Sequence, residues 1–269
     1  MTVNNGMEAD LARLDAFAAE RRADYENGDP FPHIALDDFI HRDVLDGVLA
    51  EVEARDAAQW SDMSDRYQKK SALNSTRLMG PKTRALVQFL NGQEVIMFLE
   101  KLTGIEGLVP DPLLAGGGLH ELRPGGFLGV HADFNFQKHM RLDRRINLLV
   151  YLNKDWDEDW GGNLELWDTS MKTCVKRYAP LFNRCVIFNT TDKSFHGNPQ
   201  PVATPDGRIR RSIAMYYYTN GRPETEVSDA HMTNFQYRPG EASAMERSKR
   251  TLKKFVPPII SEWLENRRN

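Results

Sequence analysis

The sequence predicts a mostly β fold with flanking helices, and three observations carry that prediction. Between about 113 and 219, seven short apolar runs are separated by Gly, Asn and Pro breaks. No helical segment falls between those runs, which favours a sandwich or barrel over a parallel α/β sheet. Helical periodicity is confined to the first 112 residues and the C-terminal end. The chain has 269 residues, 41% of them hydrophobic and 27% charged, enough to bury a substantial core.

Taken in order, Leu11, Leu14, Phe17 and Ala18 predict a first helix that stops at Asn27-Gly28-Asp29-Pro30. FPHIALDDFI at 31–40 reads as a strand, and Asp43 as the cap of a helix carrying Val44, Leu45, Val48, Leu49 and Val52. Residues 57–80 are polar and aperiodic, the most loop-like long stretch. Helical spacing returns with Leu86, Phe89 and Leu90, then with Val95, Phe98, Leu99 and Leu102. The seven predicted strands are GGGLHEL, GGFLGVHADF, INLLVYLN, GGNLELWD, KTCVKRY, NRCVIFNT and RSIAMYYYT. Residues 220–239 read as irregular, 241–255 as a helix, and IISEWLENRR after Pro257-Pro258 as a last short one. The simplest organisation is one domain: helical support in 1–112, a β core in 113–219 and a C-terminal extension in 220–269.

A net charge of −3 gives no support to a general nucleic-acid or membrane-surface binder. The apolar runs are too short for a membrane-spanning helix, and the N-terminus lacks the basic-then-apolar pattern of a signal peptide. With two cysteines, Cys174 and Cys185, no disulfide framework is expected and a reducing, cytoplasmic setting is. Cys185, in an apolar strand, reads as a buried small hydrophobe. The basic run from Lys138 to Arg145 reads as a solvated loop, and the acidic 155–160 as a turn.

Among seven histidines, two stand out by context. His131 and Asp133 stand at i and i+2, on one face of a strand, where an imidazole and a carboxylate can converge. His196 follows the apolar strand RCVIFNT. Two histidines and one carboxylate with open positions form the facial triad of non-haem Fe(II) oxygenases. Alone, a His-x-Asp is common and a loop histidine more so. Arg210 and Ser212 add a third element, again i and i+2, where a guanidinium fork and a hydroxyl could bind a carboxylate. A strand arginine paired to a surface acid is the bland alternative.

With these residues in place, the sequence resembles the Fe(II)/2-oxoglutarate dioxygenases, specifically the prolyl 4-hydroxylase-like branch. The resemblance runs from about 113 to 219 and rests on His131-Ala132-Asp133, YLNKDWDEDWGGNLEL at 151–166, His196 and Arg210-Arg211-Ser212. It implies a double-stranded β-helix, or jelly roll, packed by N-terminal and C-terminal helices. It also implies that Fe(II) is bound by His131, Asp133 and His196. Arg210, Tyr151 and Ser212 then hold the distal carboxylate of 2-oxoglutarate, with Asn147 lining the same cavity. The implied cosubstrates are 2-oxoglutarate and O2. The implied reaction is hydroxylation of an unactivated C–H of an amino-acid, peptide or other small polar substrate, with release of succinate and CO2. Presence of the acid Asp133 favours hydroxylation over halogenation. One departure is Arg123, which stands near a position where prolyl hydroxylases often carry a tyrosine. On the substrate side the candidates are Arg123, Asn135 and, in a possible flap over 57–80, Arg66 and Tyr67. Two rival readings are a non-catalytic jelly-roll protein that binds a metal or an acid, and a cupin-type metalloenzyme independent of 2-oxoglutarate. The combined presence of the triad, Arg210 and Tyr151 counts against both. Neither the substrate nor the oligomeric state is legible.

Overall fold

The computed structural model describes residues 8–241. The chain divides into two compact units, Met1–Gln236 and Tyr237–Asn269, and the sheet and its helices belong to the first. The helices expected over 241–255 and 259–268 fall beyond the described residues, Glu241 excepted.

Four helices precede the β core: α1 (Glu8–Glu26), α2 (Arg42–Glu53), α3 (Pro81–Leu90) and α4 (Gln93–Thr103). Each has the predicted apolar stripe, with Leu14 and Ala18 of α1 and Val95, Leu99 and Leu102 of α4 all buried. α2 is capped at His41, and Asp43 sits in its first turn, where a carboxylate favours the helix dipole without serving as the cap. α4 ends at Gly104 in the left-handed conformation (φ 70°), the usual glycine terminator.

Among the described residues fourteen strands form one sheet, antiparallel at every strand pairing: β1 (His33–Leu36), β2 (Ser61–Ser64), β3 (Gln68–Leu73), β4 (Val109–Pro110), β5 (Gly118–Leu122), β6 (Phe127–Ala132), β7 (Phe136–Gln137), β8 (Leu142–Tyr151), β9 (Leu164–Trp167), β10 (Cys174–Tyr178), β11 (Cys185–Asn189), β12 (His196–Asn198), β13 (Arg210–Thr219) and β14 (Asn234–Phe235). The main path runs β1-β11-β8-β13-β5-β3-β6-β12-β9-β10 and curls into a nearly closed jelly roll. All seven predicted strands are present, as β5, β6, β8, β9, β10, β11 and β13.

The two faces of β8, β11 and β13 divide the work. Ile146, Leu148, Val150, Cys185, Ile187, Ile213, Met215 and Tyr217 join the main core with the helices. Burial pushes the Cys185 thiol well above its usual range, which suits an apolar filler rather than a nucleophile. The alternate residues Asn147, Leu149, Phe188, Arg210, Ser212, Ala214 and Tyr216 turn into the barrel and line a cavity of about 610 Å³. One sheet thus supplies both the hydrophobic foundation and the polar site.

Two expectations need correction. The stretch 57–80 is no long loop: it holds the hairpin β2–β3, and β3 lies inside the sheet between β5 and β6. Its pattern Gln-Lys-Lys-Ser-Ala-Leu hid it, because an inward position of β3 faces a polar cavity instead of a hydrophobic core. Only β2 and the tip 65–67 are left to form a flap. The run from Lys138 to Arg145 is not wholly solvated either, since Arg144 and Arg145 are buried. No described helix is long and apolar enough to cross a membrane.

Leu148 is wholly buried between sheet and helices. Leu148→Ala should lower the unfolding free energy by about 2–5 kcal/mol. Urea denaturation checks this, and a loss well under 1 kcal/mol would mean that the helices do not close on β8.

Candidate active site

β6 and β12 are neighbours, and their register sets His196 directly opposite His131. Glycine makes this approach possible: a Cβ on Gly197 would stand 2.7 Å from the Gly129 carbonyl oxygen. The two imidazoles have centroids 4.5 Å apart. Asp133 leaves the end of β6 and brings Oδ1 to 3.5 Å from His131 Nε2 and Oδ2 to 3.3 Å from His196 Nε2. One donor atom from each of the three lies within 4.8 Å of the others.

Both histidines are oriented from behind. His131 Nδ1 donates to the Gly129 carbonyl at 2.9 Å and His196 Nδ1 to the Ser194 carbonyl at 2.8 Å. That tautomer leaves each Nε2 lone pair facing the common point, as metal ligation requires. Burial, reinforced by the neighbouring His196, pushes the His131 pKa down and keeps its ring neutral.

The carboxylate is held by two residues of β8. Arg144 Nη2 pairs with Asp133 Oδ2 at 2.9 Å, and Asn147 Nδ2 donates to the same oxygen at 2.7 Å. Asn147 Oδ1 in turn accepts from Arg144 Nε at 3.0 Å and Nη2 at 2.7 Å, closing a triangle. Burial alone would raise the Asp133 pKa, but the Arg144 guanidinium, aided by His196 and His131, holds it well below the usual carboxylate range. Arg144 is only 1% exposed and lies 3.5 Å from the Tyr216 ring centroid and 4.5 Å from that of Phe134.

Strand parity would turn Arg144 outward, away from Asn147. A β-bulge reverses it: one step on β13, from Tyr217 to Tyr218, matches two steps on β8, from Ile146 to Arg144. Sequence reading missed Arg144 because nothing in the residue pattern marks the bulge.

Across the cavity, Arg210 is buried and donates from Nη1 to Ser212 Oγ at 3.1 Å and from Nε to the Gly162 carbonyl at 3.2 Å. Its guanidinium lies 4.9 Å from the Tyr151 ring centroid. Tyr151 is wholly buried, and among the described residues its hydroxyl has no hydrogen-bond partner. Burial pushes its pKa up to about 12 against the opposing charge of Arg210. A buried guanidinium without a carboxylate and an orphaned phenol beside it suit a ligand carboxylate. Arg211 faces the other way, to Glu121 at 2.8 Å and Glu53 at 3.2 Å, as its parity predicts.

The YLN and GG parts of the motif are now intelligible. Asn153 extends the ladder past β8, accepting from Arg211 N at 2.6 Å and donating to the Arg211 carbonyl at 3.1 Å. Gly162 (φ 67°) brings its backbone against Arg210, whose Cγ would lie 3.3 Å from an added Cβ.

The substrate-side expectations fare differently. Arg123 does not line the cavity; it is half exposed, with Nη2 3.8 Å from Glu121, because it follows β5 on the outer side. Asn135 is buried, and its amide serves the chain at 228–231: Nδ2 donates to Ser228 Oγ and the Asp229 carbonyl at 2.9 Å, while Oδ1 accepts from His231 N at 2.9 Å. Its role is to fasten that segment, which continues into β14 beside His131. Arg66 and Tyr67 occupy the β2–β3 tip, where Tyr67 stacks on Phe235 with centroids 4.7 Å apart. Neither lines the cavity, whereas Phe235, Met232 and Lys70 do; Phe235 and Met232 were missed from sequence, while Lys70 belongs to the stretch 57–80 read as a possible flap.

Residues 117–218 match the model of a family described as the 2OG-Fe(II) oxygenase superfamily. Prolyl 3-hydroxylase OGFOD1 of Mus musculus is 27% identical over 203 residues, 73% of this chain and 35% of that protein. The chain therefore spans about a third of the length of this curated relative. A Pseudomonas putida prolyl-4-hydroxylase structure superposes with a TM-score of 0.56 at 17% identity, covering 76% of this chain and 99% of that one. A Trichoplax adhaerens prolyl hydroxylase, solved with a hypoxia-inducible-factor peptide fragment, gives 0.56 at 17% identity, covering 80% and 94%.

If Arg144 is the counter-charge of Asp133, a metal ion can replace it. Arg144→Met should destabilise the metal-free protein by about 3–5 kcal/mol, the cost of stranding a buried charge. Added Mn(II) should then raise Tm more in the variant than in the wild type. Equal rises in the two proteins would refute the pairing.

Proposed function

We propose that this chain, whose jelly-roll core is that of the 2OG-Fe(II) oxygenase superfamily, hydroxylates an unactivated C–H of an amino-acid, peptide or other small polar substrate and releases succinate and CO2. Fe(II) and 2-oxoglutarate are the cofactor set of such a core. The observation that carries the proposal is a single cavity with a His-Asp-His cluster at one end and a buried guanidinium without an acid partner at the other.

In this reading His131, Asp133 and His196 hold the metal. Three protein ligands would leave the metal open to the cosubstrates. Arg144 and Asn147 occupy Asp133 Oδ2, so Oδ1 is the carboxylate oxygen with fewer protein partners. Arg210 and Ser212 grip the distal carboxylate, and the Tyr151 hydroxyl finds in it the acceptor it lacks. The bound iron supplies the oxidising chemistry. The chain keeps the ligands in register, anchors the cosubstrate at the far end and shelters the cavity with Phe188, Leu164 and Phe235. A protein that merely stored a metal would have no use for an acid-binding socket across the same cavity.

His131→Ala or Asp133→Ala should abolish 2-oxoglutarate-dependent turnover while circular dichroism keeps its native shape. Activity near the wild-type level in either variant would overturn the ligand assignment.

Arg210→Ala should raise KM for 2-oxoglutarate while barely altering metal affinity. Losing a buried charge-assisted pair costs about 2–5 kcal/mol, roughly 30-fold to a few thousand-fold. Steady-state kinetics beside Arg211→Ala is the check: Arg211 faces Glu121, so its loss should matter less. The reverse ranking would sink the assignment.

A further inference from the structure

The cavity contains a cation that the chemistry above leaves unused. Lys70 of β3 shares a face with Ala72, and Ala72 stands opposite His120, which stands opposite Ser212. The side chain therefore enters the cavity from the same wall as Arg210, where it feels the charges of Asp133, Arg144 and Arg210. It is half-buried, and among the described residues it has no hydrogen-bond or ion-pair partner. Of the other lining cations, Arg144 is engaged with Asp133 and Arg210 with Ser212 and the Gly162 carbonyl, while Lys138 is exposed. Beside Lys70, the buried Nε2 of His120 also lacks a partner among the described residues.

Charge balance extends the point. Among the described residues the lining includes Lys70, Lys138, Arg144 and Arg210 against one carboxylate, Asp133. Fe(II) and the 2-oxoglutarate dianion cancel each other, so loading the cavity leaves its positive excess intact. A neutral substrate would not reduce that excess, whereas an anionic group would pair with it. Met63, opposite Lys70 on β2, also lines the cavity with Leu128 and Phe235, and such apolar walls strengthen an ion pair by excluding water.

We propose that Lys70 anchors an anionic group, a carboxylate or phosphate, carried by the substrate itself, so that the substrate is an acid and not a neutral peptide segment. This rests on the function proposed above, since it places the anion beside a cosubstrate that already fills the Arg210 end. Lys70 is then a specificity residue: it sets which molecule is held over the metal, and 2-oxoglutarate binds without it.

The test uses full-length protein loaded anaerobically with Mn(II) and 2-oxoglutarate and titrated calorimetrically with propionate, with neutral propionamide as the control. Wild type should bind propionate in preference to propionamide. Lys70→Met should weaken propionate at least about tenfold, as expected for a lost charge-assisted pair, and Lys70→Arg should largely restore it. Affinity for 2-oxoglutarate should change less than about threefold in either variant, well under 1 kcal/mol. Should Lys70→Met fail to fold, Lys70→Gln takes its place. Equal binding of propionate and propionamide by the wild type would overturn the proposal. A Lys70 variant that weakens 2-oxoglutarate and spares propionate would also overturn it, by assigning the lysine to the cosubstrate. Failure of the metal-loaded wild type to bind 2-oxoglutarate at all is a separate outcome, which would remove the proposed function along with the substrate class.

Discussion

A buried carboxylate stays ionised only beside a positive charge, and the candidate site depends on how the fold supplies one. Arg144 reaches Asp133 from β8, and Asn147 ties the two together. The bulge between Ile146 and Arg144 turns the guanidinium inward while its neighbours Ile146 and Leu148 stay beneath the helices. The same strand reaches the other end of the cavity, where Tyr151 lies under Arg210. Asp133 and the Arg210 socket are thus braced by one rigid element, itself locked by the main hydrophobic core. Sites held on strands in this way keep their spacing better than sites on loops.

The cavity has opposite electrostatic demands at its two ends. Near the histidines, two imidazole Nε2 atoms and one carboxylate suit a divalent cation, while Arg210 suits an anion. A keto acid chelated at one end and paired at the other satisfies both at once. The segment after β13 lines a further side with Met232, Thr233 and Phe235. Asn135 fastens it at 228–231, His231 pairs with Asp192 at 2.8 Å, and β14 lays Phe235 against His131 with ring centroids 5.4 Å apart.

Much of this was legible in the sequence because it follows simple periods. The strands of the core announced themselves by short apolar runs between breaks, and the helices by their stripes. The i, i+2 pairs His131/Asp133 and Arg210/Ser212 share a face because a regular strand requires it. Features that break periodicity were not legible. Arg144 is turned inward by a bulge that no residue type marks. β3 reads as a polar loop because its inner face meets a polar cavity, so the usual hydrophobic alternation is missing. Arg123 and Asn135 drew attention as polar residues near the motif, yet one faces solvent and the other holds a neighbouring segment. Proximity in sequence could not tell a lining residue from a supporting one.

The central claim is that the His-Asp-His cluster and the Arg210 socket form one composite site, in which metal and keto acid bind together. The most direct measurement is the affinity of 2-oxoglutarate under anaerobic conditions, with and without Fe(II). Linkage requires the coupling to be reciprocal, so Fe(II) must also bind more tightly when 2-oxoglutarate is present. A composite site gives much tighter 2-oxoglutarate binding with Fe(II), and Asp133→Ala removes that gain. Equal affinities in the presence and absence of Fe(II), unaffected by Asp133→Ala, would contradict it.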